Sequence, residues 1–155
     1  MSASFDTLLK DFAASKGLPA DEATYGLEFE SEGHSVMVVQ HPLHEDHLLV
    51  EVSVAVLPVD PSAVLLAMLL QINEAARFEH DWAVYLDGEQ QVSLSTAAPL
   101  ADLSLAEIEG LMLDGVERAQ ALQALLNELP QVGGGEGDSV QAPLGGGLDS
   151  MMLRG

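Results

Sequence analysis

Residues 60–78, DPSAVLLAMLLQINEAARF, are apolar on two sides of one helix. Asp60 can cap the first free N–H groups, and Pro61 suits the first helical position, where no N–H is needed. Val64, Leu65, Met68, Leu69, Ile72 and Ala76 recur at helical spacing and form one stripe. The back of the helix is apolar as well, through Ala63, Leu66, Ala67 and Leu70. A helix that is apolar all round is buried all round. A chain this short has few layers to place on both sides, so the second face is expected to meet another copy of the chain, which makes this the dimer helix.

The other elements follow from their periods. Ser4–Lys16 is an amphipathic helix with Phe5, Leu8, Leu9 and Phe12 on one face, ended by Gly17 and Pro19. Leu27–Ser31 alternates Leu27 and Phe29 with Glu28 and Glu30, and Glu32-Gly33 is a turn into a second strand, Ser35–Gln40. In that strand Val36 and Val38 point one way, Met37 and Val39 the other. The loop HPLHED leads to a third strand, Leu48–Leu57, whose even positions Leu48 to Val56 predict an unbroken core face. Beyond the dimer helix, 80–86 and 90–95 read as a hairpin around Asp87-Gly88, and Thr96–Asp102 as a connection. Ser104-Leu-Ala-Glu107 is a capping box opening a helix from Leu105 to about Leu129, stopped by Pro130. Gly115 and Ala119 lie within its apolar stripe and predict a close approach to a neighbour.

The order is α-βββ-α-ββ-α, an α+β fold in which a twisted antiparallel sheet is packed by helices. Residues 1–130 form one domain. Residues 131–155, with GGGEGD and APLGGG, have a different composition and are expected to be a flexible Gly-rich tail.

Charge narrows the partners. Five Lys and Arg against 25 Asp and Glu give a net charge of −20, which repels nucleic acid and anionic membrane alike. With 48% hydrophobic residues the chain is nonetheless a packed domain with an acidic coat, not a disordered tail. There is no cysteine, which suits a reducing cytoplasm. The start lacks the basic and apolar regions of a secretory signal, and the longest apolar run, Ala63–Leu70, is far short of the ~20 residues of a membrane span.

Candidate chemistry is sparse. His41, His44 and His47, with Glu45 and Asp46, could hold zinc or copper, but no partner cluster accompanies them and the spacing favours a solvated polar loop. No phosphate-binding loop, nucleophile elbow or zinc-protease helix is present in the sequence, and no pair among 25 carboxylates stands out as acid and base. Neither catalysis nor a cofactor is expected.

The stretch LLAMLLQINEAARFEHDWAVYLDGEQQVSLSTAAPL is similar to the class I type III secretion chaperones of the Tir-chaperone and Yop-chaperone family. The resemblance rests on a leucine-rich helix ending in Leu70-Gln-Ile-Asn73, two strands with a Gly turn, and the Leu103-Ser104-Leu-Ala-Glu107 start of the last helix. It runs from about Ser4 to Leu129. It implies an acidic cytoplasmic homodimer with Leu66, Ala67, Leu70 and Trp82 at the interface. It also implies a client, the N-terminal chaperone-binding region of a secreted effector, wound in extended form around the dimer. Groove candidates are Phe5, Leu9 and Leu27, together with Phe29, Met37, Val39 and Leu49, and strand addition at a sheet edge would supply main-chain hydrogen bonds. A secretion-system ATPase is a further candidate partner. Two other readings stay open: a regulatory or stress adaptor on the same fold that binds non-secreted proteins, and a metal-binding protein using the histidine loop.

Overall fold

A computed structural model describes residues 5–18, 26–79 and 82–129. The tail expected over 131–155 lies outside them. Helix α1 (Phe5–Lys16) is followed by strands β1 (Gly26–Ser31), β2 (His34–Gln40) and β3 (His47–Val56). Helix α2 (Ala63–Glu79), strands β4 (Ala83–Leu86) and β5 (Gln91–Pro99), and helix α3 (Leu105–Glu128) complete the order. All neighbours pair antiparallel in one five-stranded sheet, β1-β2-β3-β5-β4. The expected α+β order is therefore the observed one.

Alternation decides the faces. Leu27, Val36, Val38, Val50 and Val52 are buried beneath the helices, while Glu28, Met37, Val39, Leu49 and Glu51 point to the opposite face. Helix α3 lies across the covered face with Ile108, Met112, Val116, Leu122 and Leu126 buried. It begins where predicted: the Ser104 hydroxyl accepts from the Glu107 N–H, and the Glu107 carboxylate accepts from the Ser104 N–H. Gly115 is the point of closest approach. A Cβ there would stand 2.5 Å from the Trp82 ring and 2.9 Å from a Val52 methyl. Helix α1 covers the β1 end, and its last turn closes on Gly17 (φ +68) through bonds from Gly17 N–H to the Ala14 carbonyl and from Leu18 N–H to that of Ala13.

Three sequence expectations are corrected. Ser62, not Asp60, caps α2: its hydroxyl accepts from Leu65 N–H at 3.2 Å, and its carbonyl from Leu66 N–H. The DPS sequence offers two capping side chains, and the later one lies where the helix starts. The core face of β3 does not reach Val56. A bulge between Ser53 and Ala55 reverses the alternation, which leaves Val56 exposed and returns Leu57 to the core. Finally, 96–99 is strand, not connection, because β5 pairs with β3 as far as Pro99 opposite His47.

The carbonyls at the bulge are held from several elements. His34 Nδ1–H donates to the Ser53 carbonyl at 2.8 Å, Gln123 Nε2 to Val54 at 3.1 Å, and Gln91 Nε2 to Ala55 at 3.1 Å. The bond to Ser53 gives the Nδ1 side of buried His34 its partner.

Candidate functional site

Helix α2 divides its apolar residues between two audiences. Leu65 and Leu69 are buried in the core, with Met68 and Ile72 packed against it. On the other side Leu66 and Leu70 are 36% and 71% exposed, and Ala63 and Ala67 are exposed with them. Val64, placed by its spacing in the buried stripe, is 58% exposed and belongs to the outward side. Beside this face runs a groove of about 380 Å³, walled by Leu66, Leu69, Leu70 and Asn73 of α2 and by Val84 to Leu86 on β4. Bare apolar surface flanked by an apolar groove marks an interaction site.

The floor of the groove is fixed by Asn73. Its Oδ1 accepts from Val84 N–H at 2.6 Å, and its Nδ2 donates to the Val84 carbonyl at 2.5 Å. The sequence offered Asn73 only as part of a Leu-x-x-Asn motif, and its partner lies across a segment that spacing cannot bridge.

Of the interface candidates, Leu66, Ala67 and Leu70 share the outward face of α2. Trp82 does not join them. It is buried over Gly115, and its Nε1–H donates to Asp114 Oδ2 at 2.7 Å, with Arg118 Nε on the same oxygen at 2.9 Å. It holds α3 to the start of β4. Of the client-groove candidates, Phe5, Leu9 and Leu27 are core residues, and Phe29 is half-buried against the same core. Met37, Val39 and Leu49 are brought together, half-buried, on the uncovered face of the sheet. Next to them a shallow trough of about 250 Å³ is lined by Glu28, Ser35, Glu51, Ser53 and Ser93 among others. Partial burial pushes the Glu51 carboxyl up, and Asp87 and Glu28 add to this, while a bond from Ser93 opposes it.

The edges of the sheet differ. Glu32 and Gly33 both have positive φ (51° and 83°), the mark of a two-residue turn that closes the β1–β2 ladder at Ser31 and His34. Alternation from that pair turns the N–H and C=O groups of Gly26, Glu28 and Glu30 away from β2. No described strand pairs with that side of β1.

The histidine loop is organised by its own backbone. His41 Nδ1 accepts from the N–H groups of Leu43 and His44 at 3.1 and 3.2 Å, and His47 Nδ1 lies 2.9 Å from Asp46 Oδ1. The bond to His47 holds the Asp46 carboxyl below its usual range. Among the described residues no group of three or more His, Cys, Asp or Glu side chains is arranged to hold a metal ion.

Comparison with known proteins gives these surfaces a context. Among curated proteins no sequence matches significantly. Solved structures do match. A chain of the ExsC–ExsE complex is 24% identical, with a TM-score of 0.65 over 81% of this chain and 96% of that one. A chain of the ExoU–SpcU complex from the type III secretion system of Pseudomonas aeruginosa is 18% identical, with a TM-score of 0.57 over 76% and 96%. In the complex of the Yersinia pestis type III secretion chaperone SycH with a fragment of YscM2, the figures are 18%, 0.54, 74% and 95%. At these identities the likeness is one of fold. The family profile described as Tir chaperone protein (CesT) matches residues 7–123, most of the sequence, and the chain belongs to that family.

Proposed function

We propose that this protein is a cytoplasmic, homodimeric chaperone of type III secretion that binds the N-terminal chaperone-binding region of an effector and keeps it soluble and secretion-competent. The observation that carries the proposal is the bare outer face of α2 in a chain of this family. Val64, Leu66 and Leu70 give a second copy an apolar surface to cover, and the acidic coat keeps the assembly in solution. The similar structures that are complexes of type III secretion chaperones or systems support the choice of client.

Binding of this kind is a holding action. Burial of apolar client side chains supplies the affinity, and an extended segment adds main-chain bonds at a sheet edge. The outward groups of Gly26, Glu28 and Glu30 offer such bonds, and Met37, Val39 and Leu49 offer apolar contact on the uncovered face. Among the described residues no helix is long and apolar enough to cross a membrane. Burial of apolar surface needs no ATP, and the secretion-system ATPase is a further proposed partner.

The proposal is tested by purifying the native protein and identifying by mass spectrometry what comes with it. An effector retained through its N-terminal segment, on a dimer, is the expected result. Retention of non-secreted regulatory proteins alone would favour the adaptor reading, and a wild type that is monomeric at tens of micromolar would remove the dimer.

A further inference from the structure

The contacts of Asn73 say more than that α2 is attached to β4. In an antiparallel ladder alternate residues turn their N–H and C=O groups toward each neighbour. Val84 pairs across from Leu94 of β5, yet its own N–H and C=O are both bonded to the Asn73 side chain, so they face the outer side of the sheet. A primary amide carries the same donor and acceptor as a peptide unit. Asn73 therefore stands where the backbone of a sixth strand would stand. Strand β4 has only four residues, Ala83–Leu86, of which Val84 and Leu86 face outward by this alternation. With Val84 occupied, a visiting strand is left one residue with which to bond.

We propose that Asn73 is a backbone surrogate that closes the β4 edge to strand addition, so that the groove beside it accepts side chains but not an extended chain. Exposed strand edges invite pairing with any other chain, and proteins block them in several ways. Here the block is supplied from a helix. It leaves β1 as the sheet edge open to an extended partner among the described residues. It also means that a second copy meets this side through the side chains of α2, not by continuing the sheet. The inference extends past the chaperone reading and survives its failure, because it applies to any strand, client or copy.

The test follows amide hydrogen exchange and solution mass for the full chain, wild type against Asn73→Ala and Asn73→Asp. In dilute Asn73→Ala the Val84 amide exchanges about tenfold faster or more, while Val92 and Leu94 keep their rates. As concentration rises, the same variant forms species larger than those of the wild type. Asn73→Asp keeps the acceptor for Val84 N–H but loses the donor to its carbonyl, so its Val84 exchange stays near wild type and its mass shift is smaller. Adding Leu86→Pro to Asn73→Ala removes the Leu86 N–H and leaves Val84 as the one outward N–H of β4, no more than the wild type offers, so the mass returns toward that of the wild type. Unchanged mass in Asn73→Ala overturns the proposal, whether or not Val84 exchanges faster, and so does equal acceleration at Val84, Val92 and Leu94, which would make Asn73 a general brace. Client capture plays no part in these readouts, so its failure and theirs are separable.

Discussion

Helices α2 and α3 are both rich in apolar residues, and they differ in how much of that surface the protomer covers. The stripe of α3 from Ile108 to Leu126 is buried, and at Gly115 the fit leaves no room for a methyl group, while Leu113 and Leu125, off that stripe, stay exposed singly. On α2, Leu65 and Leu69 are covered, but Val64, Leu66 and Leu70 are not. A helix whose apolar stripe is covered by its own chain is a structural part. One left half covered is an invitation to a partner, and the difference lies in topology: α2 runs along β4 at the sheet's end, whereas α3 crosses the strands at its middle.

The contrast can be broken first on its open side. Leu66→Glu puts a charge where the second copy should close, at a cost of several kcal/mol once desolvated. The expected result is a halved mass in solution with the circular dichroism of the fold intact. On the closed side, Gly115→Ala forces a methyl against Trp82 and Val52. Overpacking of about 1–3 kcal/mol outweighs the gain in helix propensity, so the melting temperature falls with the solution mass unchanged. Ser104→Ala removes the hydroxyl that receives the Glu107 N–H and costs about 1 kcal/mol in urea titration, again with mass unchanged.

The smallest effect belongs to the uncovered face of the sheet. Because the folded-state pKa of Glu51 is raised, its ionisation opposes folding. The penalty is absent below the unfolded carboxylate range and grows as pH rises toward and through the raised folded value. Glu51→Gln should therefore stabilise the protein slightly at neutral pH, within about 0.5 kcal/mol, and leave it unchanged near pH 3.5. A gain of the same size at both pH values would assign the effect to packing, not charge.

What the sequence revealed follows from range. The capping box at Ser104 spans four residues, the small residue at Gly115 interrupts a regular stripe, and the two-sided apolar pattern of α2 is visible in any helical projection. Each is a local signal. The bulge after Ser53 has none, since the groups that satisfy it, from His34, Gln91 and Gln123, arrive from three other elements. The candidate site was legible in the same measure. Leu66, Ala67 and Leu70 follow from helical spacing, and Leu27 against Glu28 reads inward by alternation, but in β2, apolar on both faces, alternation could not say that Val38 looks inward and Met37 outward. Trp82, an interface candidate by resemblance alone, is buried over Gly115, and Asn73 takes its meaning from Val84, a partner that spacing does not reveal.

The turn between β4 and β5 has a reach that its position at a corner conceals. Asp87 fixes it by accepting from the N–H groups of Glu89 and Gln91, which sets Gln90 at φ +66°. The Gln90 carbonyl then accepts from Leu57 N–H at 2.9 Å, just ahead of the chain's entry into α2. One aspartate in a loop thus steers the approach angle of the helix expected to carry the pairing surface, and drift in sequence at that corner would retune the alignment of the proposed dimer without altering a residue of that surface.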